Sequence, residues 1–530
     1  MTISIDFGTS NTVVACWDAS ARKAETVRLE LSDTLGVVPV VPSLLYLENA
    51  AAGKAVVGQA VRDRGFDTAS DRRFFRSFKR GIGAGVSASL PELDGKVASF
   101  EQIGELFLRQ VLASVRDVPL ETESLVLTVP VESFEVYRQW LGQVCAAAGV
   151  NRVRLLDEPT AAALGYEATD AKNLLVVDFG GGTLDLSLVK LDRSVTQQRK
   201  PLGFILKWGA KDFTEESGQR LEAAQVLAKS GLDLGGTDID NWLVDYFADR
   251  QGLEKNSLTT RLAERLKIQL SEKPEAVEVF FDEENFESYE LKLDRESFEQ
   301  ILRDRDFFGQ LDGALDAVLQ QAERQDLDKS DIDAVLLVGG SAQIPAVRRW
   351  MAGHFSTEKI RSDRPLDAIA LGALKLEDGI EVKDFLQHGY GIRFWDRRAN
   401  AHGWHPIVEA GQPYPTRKPV VINLGASLEK QPKIELVLGE LGQRETATEV
   451  FFDGDRLITR EIDTDEAPVK PLNDSDSGRV LAELDPPGMP GRDRISVAFR
   501  IDDRRFLRVT VEDLLRQRTL IDDRPAIELN

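Results

Sequence analysis

Only two cysteines, Cys16 and Cys145, and four histidines occur in the 530 residues. Two isolated cysteines make neither a disulfide framework nor a zinc-ligand spacing. Both fall at core positions, Cys16 on an expected strand and Cys145 on the apolar face of an expected helix. So few histidines make a Ser/His/Asp catalytic set hard to build. No apolar run approaches the roughly 20 residues that span a bilayer, so no membrane is expected as a partner. Nor does a basic n-region or an apolar h-region precede the first strand, and the expectation is a cytoplasmic protein. Positive charge is in deficit, with 66 Lys and Arg against 88 Asp and Glu, a net charge of −22. Such a surface repels phosphate backbones, which argues against nucleic acid as a partner. What remains is an ordinary globular composition, 42% hydrophobic and 29% charged, over a length that suits two or three domains.

Glycine is abundant where it matters. Leu174 to Val177 reads as a buried strand that runs into Asp178-Phe179-Gly180-Gly181-Gly182-Thr183. Leu184, Leu186 and Leu188 then alternate with polar residues, as a second strand does. A glycine turn lets main-chain N–H groups approach a phosphate, and an acid at each end suits a divalent metal. One such hairpin is most often only a tight turn. A similar order, Asp6-Phe7-Gly8-Thr9-Ser10-Asn11, follows the alternating Ile3, Ile5 and Phe7 at the start of the chain. Two such hairpins far apart point to a duplicated domain whose halves grip one nucleotide.

The chain between and beyond them alternates strands and helices. Val37 to Leu47 reads as a strand with a kinked entry, followed by the basic-aromatic run Arg72 to Arg80. A helix is expected from Phe100, with Ile103, Leu106, Phe107 and Val111 on one face, and another over Phe134 to Ala148. Leu125 to Val129 is a strand ended by Pro130, and Pro159 and Thr160 open an alanine-rich helix. Residues 193–211 hold five basic residues and no acid; a solvated hairpin is the bland reading, a partner-docking loop the sharper one. Gly235-Gly236 precedes a helix, Arg261 to Leu270 is a helix, and one long helical stretch is expected over Ser297 to Gln325. The strand Ala334 to Val338 runs into Gly339-Gly340-Ser341. Past residue 378 helical periodicity nearly vanishes, and the last ~140 residues read as antiparallel β with an acidic loop from Glu461 to Gly478.

Taken in order, these motifs resemble those of the DnaK-type, or heat-shock-70, chaperones over nearly the whole chain. The two hairpins resemble that family's phosphate loops, and Leu337-Val338-Gly339-Gly340-Ser341 its adenosine loop. Leu127-Thr128-Val129-Pro130 with Arg138 resembles its interdomain proline switch. The resemblance implies a duplicated α/β actin-like ATPase domain over 1–378, a linker over 379–388 and an antiparallel β-sandwich over 389–530, with no helical lid. It implies ATP or ADP with Mg2+ as cofactors, and Lys79, Glu158, Asp178, Thr183 and Asp6 as the catalytic set. Asp6 and Asp178 would hold the metal mostly through water, as magnesium prefers. Gly8, Thr9, Ser10, Asn11, Gly180, Gly181, Gly182, Gly235 and Gly236 would meet phosphates, while Glu264, Lys267 and Ser271, on one helix face, join Gly339, Gly340 and Ser341 at the nucleoside. Ile392, Trp395, Ile422, Ile434 and Leu436 are implied for peptide binding, although apolar residues on strands are as often plain core.

Some positions depart from the pattern. Gln343 stands where many relatives stack an arginine on adenine, Trp395 and Arg397 replace small residues, and the linker keeps only Val382 to Leu386. The implied function is ATP-dependent binding of unfolded or apolar polypeptide in a stress response, with a J-domain co-chaperone and an exchange factor as partners. The alternatives are a nucleotide-binding regulator with little turnover, a small-molecule kinase and an actin-like filament.

Overall fold

In this computed structural model the described residues are all except 1, 19–22, 84–90, 118–123, 131–133, 149, 151–152, 167–170, 192–221, 283–285, 376–380, 383–385, 387–388, 397–400, 409–413, 417, 442–445, 454–455, 464–468, 474–479, 503–504 and 530. The basic run at 193–211, Arg397 and most of the linker fall outside them. The chain forms two compact units, residues 1–382 with 448–461, and residues 383–447 with 462–530.

The first unit grows from two strands that are apolar along their length. Thr2–Phe7 is buried at almost every residue: Ile3, Ile5 and Phe7 pack into a core on one face, and Ser4 meets the Ala370 carbonyl on the other. It runs parallel to Ser124–Val129, which runs parallel to Val153–Asp157, and antiparallel to Asn11–Asp18. Asn173–Phe179 repeats the arrangement: parallel to Ala334–Val338, which is parallel to Ile360–Arg361, and antiparallel to Leu184–Leu191. Continuous apolar runs are what parallel strands with both faces covered require. The second sheet continues through Glu222–Leu232 to Glu381–Val382, which forms its edge strand.

Each sheet has its own core. Helix Phe100–Asp117 buries Ile103, Phe107 and Val111 against Ile3, Ile5 and Phe7, as its periodicity predicts. Helices Gly236–Gln251 and Ser257–Glu272 bury Ile239, Leu243, Leu262 and Leu266 against Leu184 and Leu186. Asn256 caps the second of these by accepting from the Thr259 N–H, an arrangement worth about 1 kcal/mol.

Two expectations change. The long helix over Ser297 to Gln325 is two helices, Arg295–Asp304 and Phe307–Glu323, because Asp306 takes φ +51°, which ends one helix before the next begins. The strand over Val37 to Leu47 is also two, Val38–Pro42 in the first large sheet and Leu44–Asn49 in a separate three-stranded sheet.

In the second unit Gly389–Asp396, Ala401–Val408, Leu438–Leu441 and Lys470–Pro471 form one antiparallel sheet. Val420–Gly425, Asp493–Ile501, Phe506–Asp513 and Arg518–Glu528 form another. Their alternating apolar residues, Tyr390, Leu438, Val497, Val509 and Val511 among them, share one core. After Val382 there is no helix among the described residues, and no described helix of the chain is long and apolar enough to cross a membrane.

Candidate functional site

The penultimate residue of each central strand is an aspartate, so the two sheets deliver Asp6 and Asp178 to equivalent hairpin turns. The turns approach until side chains no longer fit: a Cβ on Gly181 would collide with the Ser10 hydroxyl, and one on Gly182 with the Thr9 side chain. Glycine there is a packing requirement, and it leaves backbone facing the gap. Ser43, in the break between two strands, fixes the first turn by donating from Oγ to the Gly8 carbonyl at 2.7 Å and from N–H to the Ser10 carbonyl at 2.9 Å. In the second turn the Gly180 N–H donates to the Thr183 carbonyl at 3.0 Å, and the Ser341 hydroxyl donates to the Gly180 carbonyl at 2.8 Å.

Between the turns lies a cavity of about 460 Å³, the size of a small-molecule site. At its floor are Asp6, Lys79, Glu158 and Asp178. Gly8 to Asn11, Gly180 to Thr183 and Gly236 line its middle, and Glu264, Lys267, Ser271 and Gly339 to Ser341 its far end. Gly235 is not in the wall; it packs against the Gly181 carbonyl behind it. Pro130 shares a smaller cavity, about 10 Å³, with Glu158, Asp178 and Asp185. Arg138 lies on helix Phe134–Ala147, but its side chain is not among those described.

The floor concentrates unlike and like charge in a buried place. Lys79 Nζ pairs with Glu158 Oε1 at 3.0 Å, each side chain about 10% exposed. Glu158 opens its helix after Asp157, whose carboxylate caps the Thr160 N–H at 2.8 Å. Burial raises the Asp6 carboxyl to about 7, with Glu158 adding to the shift, while Lys79 and the Thr128 hydroxyl, donating at 2.8 Å, hold it back. Asp178 is pushed well above the usual carboxylate range by burial and then by Glu158, Asp185 and Asp6. Burial works most strongly against the Lys79 ammonium, yet Glu158, Tyr137 and Asp6 together outweigh it and the pKa is raised. Three carboxylates facing one cation leave the floor short of positive charge, which is the deficit a divalent cation fills. Among the described residues no three acidic, histidine or cysteine side chains converge closely enough to hold a bare ion. The donor set therefore fits a hydrated magnesium ion near Asp6 and Asp178, held through its own waters.

The far end is organised by pairs the sequence did not announce. Lys267 forms an ion pair with Asp240 at 2.8 Å and donates to the Gly236 carbonyl at 2.8 Å. Glu264 sits 3.6 Å from Arg62 and 3.9 Å from Arg76; burial would raise its pKa, but Arg76, Arg62, Lys267 and Arg261 together outweigh that and lower it. Ile268, Gln343 and Arg348 complete this wall, and Ile268 is exposed there although apolar. Helical spacing from Glu264 and Lys267 would have found Ile268; the pairing of Arg76 with a helix nearly 190 residues away has no local signal.

In the second unit Ile392, Ile434 and Leu436 are buried in the core, Ile422 is half-buried, and Trp395 is 43% exposed beside His402.

The profile of the family described as Hsp70 protein matches residues 2–213 and 223–386. The chain belongs to the Hsp70 family. Its Hsp70 relatives include the chaperone protein DnaK of Nitrosopumilus maritimus, 25% identical over 97% of this chain and 74% of that one. The chaperone protein DnaK of Thermotoga petrophila is 26% identical over 97% of this chain and 78% of that one. The chaperone protein HscA homolog of Pasteurella multocida is 26% identical over 70% and 56%. Hsp70 membership carries with it the duplicated actin-like ATPase architecture, and members of the Hsp70 family bind and hydrolyse ATP with magnesium.

Proposed function

We propose that this Hsp70 protein hydrolyses ATP in the cavity between its two hairpins and uses that cycle to control binding of exposed apolar polypeptide by its second unit. In this reading residues 1–378 are the nucleotide-binding domain, 379–388 the linker and 389–530 a β-sandwich. The observation that carries the reading is the convergence of both turns on one cavity whose floor holds the buried Lys79–Glu158 pair.

Phosphoryl transfer to water asks a protein for positioning and charge neutralisation rather than covalent chemistry. The main-chain N–H groups from Gly8 to Asn11 and from Gly180 to Thr183 grip the phosphates. Glu264, Lys267 and Ser271 hold the nucleoside. Lys79 offers a point charge to the terminal phosphate, and releasing its bond to Glu158 frees that carboxylate to accept from the attacking water. Magnesium, when bound, neutralises charge on the phosphate oxygens. Pro130, touching the same floor, and Arg138 on the following helix would relay the nucleotide state to the second unit, where Trp395 offers an exposed apolar anchor. Unfolded polypeptide is the partner, with J-domain and exchange-factor proteins acting on the cycle in the cytoplasm.

A second reading, a nucleotide-binding regulator with little turnover, draws on the same ion pair: Lys79 is already engaged. Single-turnover hydrolysis of ATP with magnesium separates the two. The expected result is a rate at least ~100-fold above that of Lys79→Ala, with ADP affinity of the two within about tenfold. Equal rates would leave the regulator standing.

A further inference from the structure

Lys79 is held in an aromatic enclosure that the proposed reaction does not by itself explain. It lies in the short 3-10 turn Phe78–Gly81, and its Nζ is 5.6 Å from the centroid of Phe7 and 5.7 Å from that of Tyr137. The Tyr137 hydroxyl donates to the main-chain carbonyl of Lys79 itself, at 2.9 Å. One side chain therefore touches both ends of the lysine. Phe7 touches the ammonium alone.

Tyr137 is itself fixed. It is 4% exposed and meets Trp140 edge-on at 5.7 Å and 84°, and Trp140 in turn lies 6.1 Å from Phe7. Burial raises the phenol pKa well above its ordinary value, so the hydroxyl stays a neutral donor. It sits on helix Phe134–Ala147, which begins four residues after Pro130 and carries Arg138 as its next residue. A buried tyrosine usually finds some carbonyl for its hydroxyl. Here the carbonyl belongs to the residue whose ammonium its ring also faces.

We propose that Tyr137 is a positioning residue for Lys79, fixing the backbone through its hydroxyl and the ammonium through its ring, so that the helix after Pro130 sets where the charge sits. The proposal rests on the reading that Lys79 faces the terminal phosphate. The physical reason is the freedom of a four-carbon stem carrying a point charge. A displacement of about 1 Å in a positioned group can cost ~100-fold in rate. The hydroxyl bond restrains the turn and the ring face restrains the stem, and neither alone does both.

The test uses the full chain with Tyr137→Leu, which loses both contacts, and Tyr137→Phe, which keeps the ring. Three quantities are measured: single-turnover ATP hydrolysis, ADP affinity by calorimetry, and the NMR shift of Lys79 in nucleotide-free protein labelled at lysine Cε, assigned by comparison with Lys79→Arg. Protons beside aromatic faces carry an upfield ring-current shift. The expected result for Tyr137→Leu is hydrolysis slowed about tenfold or more, ADP affinity within about twofold, and a reduced upfield shift of Lys79. Tyr137→Phe should slow hydrolysis by about threefold, the scale of one lost hydrogen bond, with the upfield shift kept. Should Tyr137→Leu not fold, Tyr137→Phe decides by the same measure, and a wild-type rate overturns the proposal. An unchanged Lys79 shift in folded Tyr137→Leu, or rate and ADP affinity falling together as for an ordinary core residue, also overturns it. A wild-type chain no faster than Lys79→Ala would remove the ATPase reading, and the Lys79 shift would then decide the positioning claim alone.

Discussion

The two large sheets of the first unit share one plan and contribute differently to the cavity between them. In both, a central strand lies between a parallel and an antiparallel neighbour and ends in an acid and a tight turn. The first sheet and its attachments then add charge: Lys79 after the strand Phe74–Arg76, and Glu158 after Val153–Asp157. Beside the turns the second adds mainly backbone, with Gly180 to Gly182, Gly236 and Gly339 to Ser341 in the wall, and its charged side chains there, Glu264 and Lys267, are already paired with Arg62, Arg76 and Asp240. Even the acids differ, for Asp178 faces Asp185 across its hairpin whereas Asp6 faces Val13. Duplication supplies a symmetric frame, and the chemistry comes from what each copy hangs on it.

Exchanging the twin acids is the strongest way to break this comparison. Asp178→Asn should slow single-turnover hydrolysis by ~100-fold or more and Asp6→Asn by about tenfold, since Asp178 belongs to the more negative side of the floor. In nucleotide-free protein Asp178→Asn should also raise Tm by a few degrees, because a buried carboxylate facing others is removed. Equal losses in the two variants would erase the asymmetry.

The backbone role of the second sheet predicts a smaller effect. Gly339 has φ +84°, and a Cβ there would strike the Phe179 carbonyl. Gly339→Ala is therefore expected to cost about 1–3 kcal/mol in denaturant unfolding and to weaken ADP binding about tenfold. Gly340→Ala, where a Cβ has room, should change stability by less than about 0.5 kcal/mol. If both alanines behave alike, close approach is not what the glycines provide.

The mildest prediction concerns the far end. Placing a guanidinium at the cavity wall by Gln343→Arg should tighten ADP binding about two- to fivefold, the scale of a partly exposed cation–π contact. Hydrolysis at saturating ATP should not move, because the charged floor is untouched. No gain in affinity would show that the base does not reach Gln343.

Both hairpins were legible because each prints its acid and glycines within six residues, and helix Phe100–Asp117 because its apolar positions recur at helical spacing. The single strand expected over Val37 to Leu47 failed for a different reason. Apolar spacing reports burial, and both pieces are buried, but in separate sheets. Likewise Ile392, Ile434 and Leu436 read as apolar strand residues whether they line a groove or fill a core, and here they are buried. Asp306 shows the limit for helices, since one left-handed residue interrupts a pattern whose periodicity continues on either side.

The order of residues alone determined the two acid-glycine turns, each written in a few adjacent positions, and the loss of helical spacing in the last part of the chain, where the described elements are all strands. Tertiary structure decided which charges meet: Lys79 with Glu158, Glu264 with Arg62 and Arg76, and the Tyr137 hydroxyl with the Lys79 carbonyl. Those partners are separated by 58 to 202 residues, and only the closing of the sheets and helices around a shared gap brings them within reach of one another.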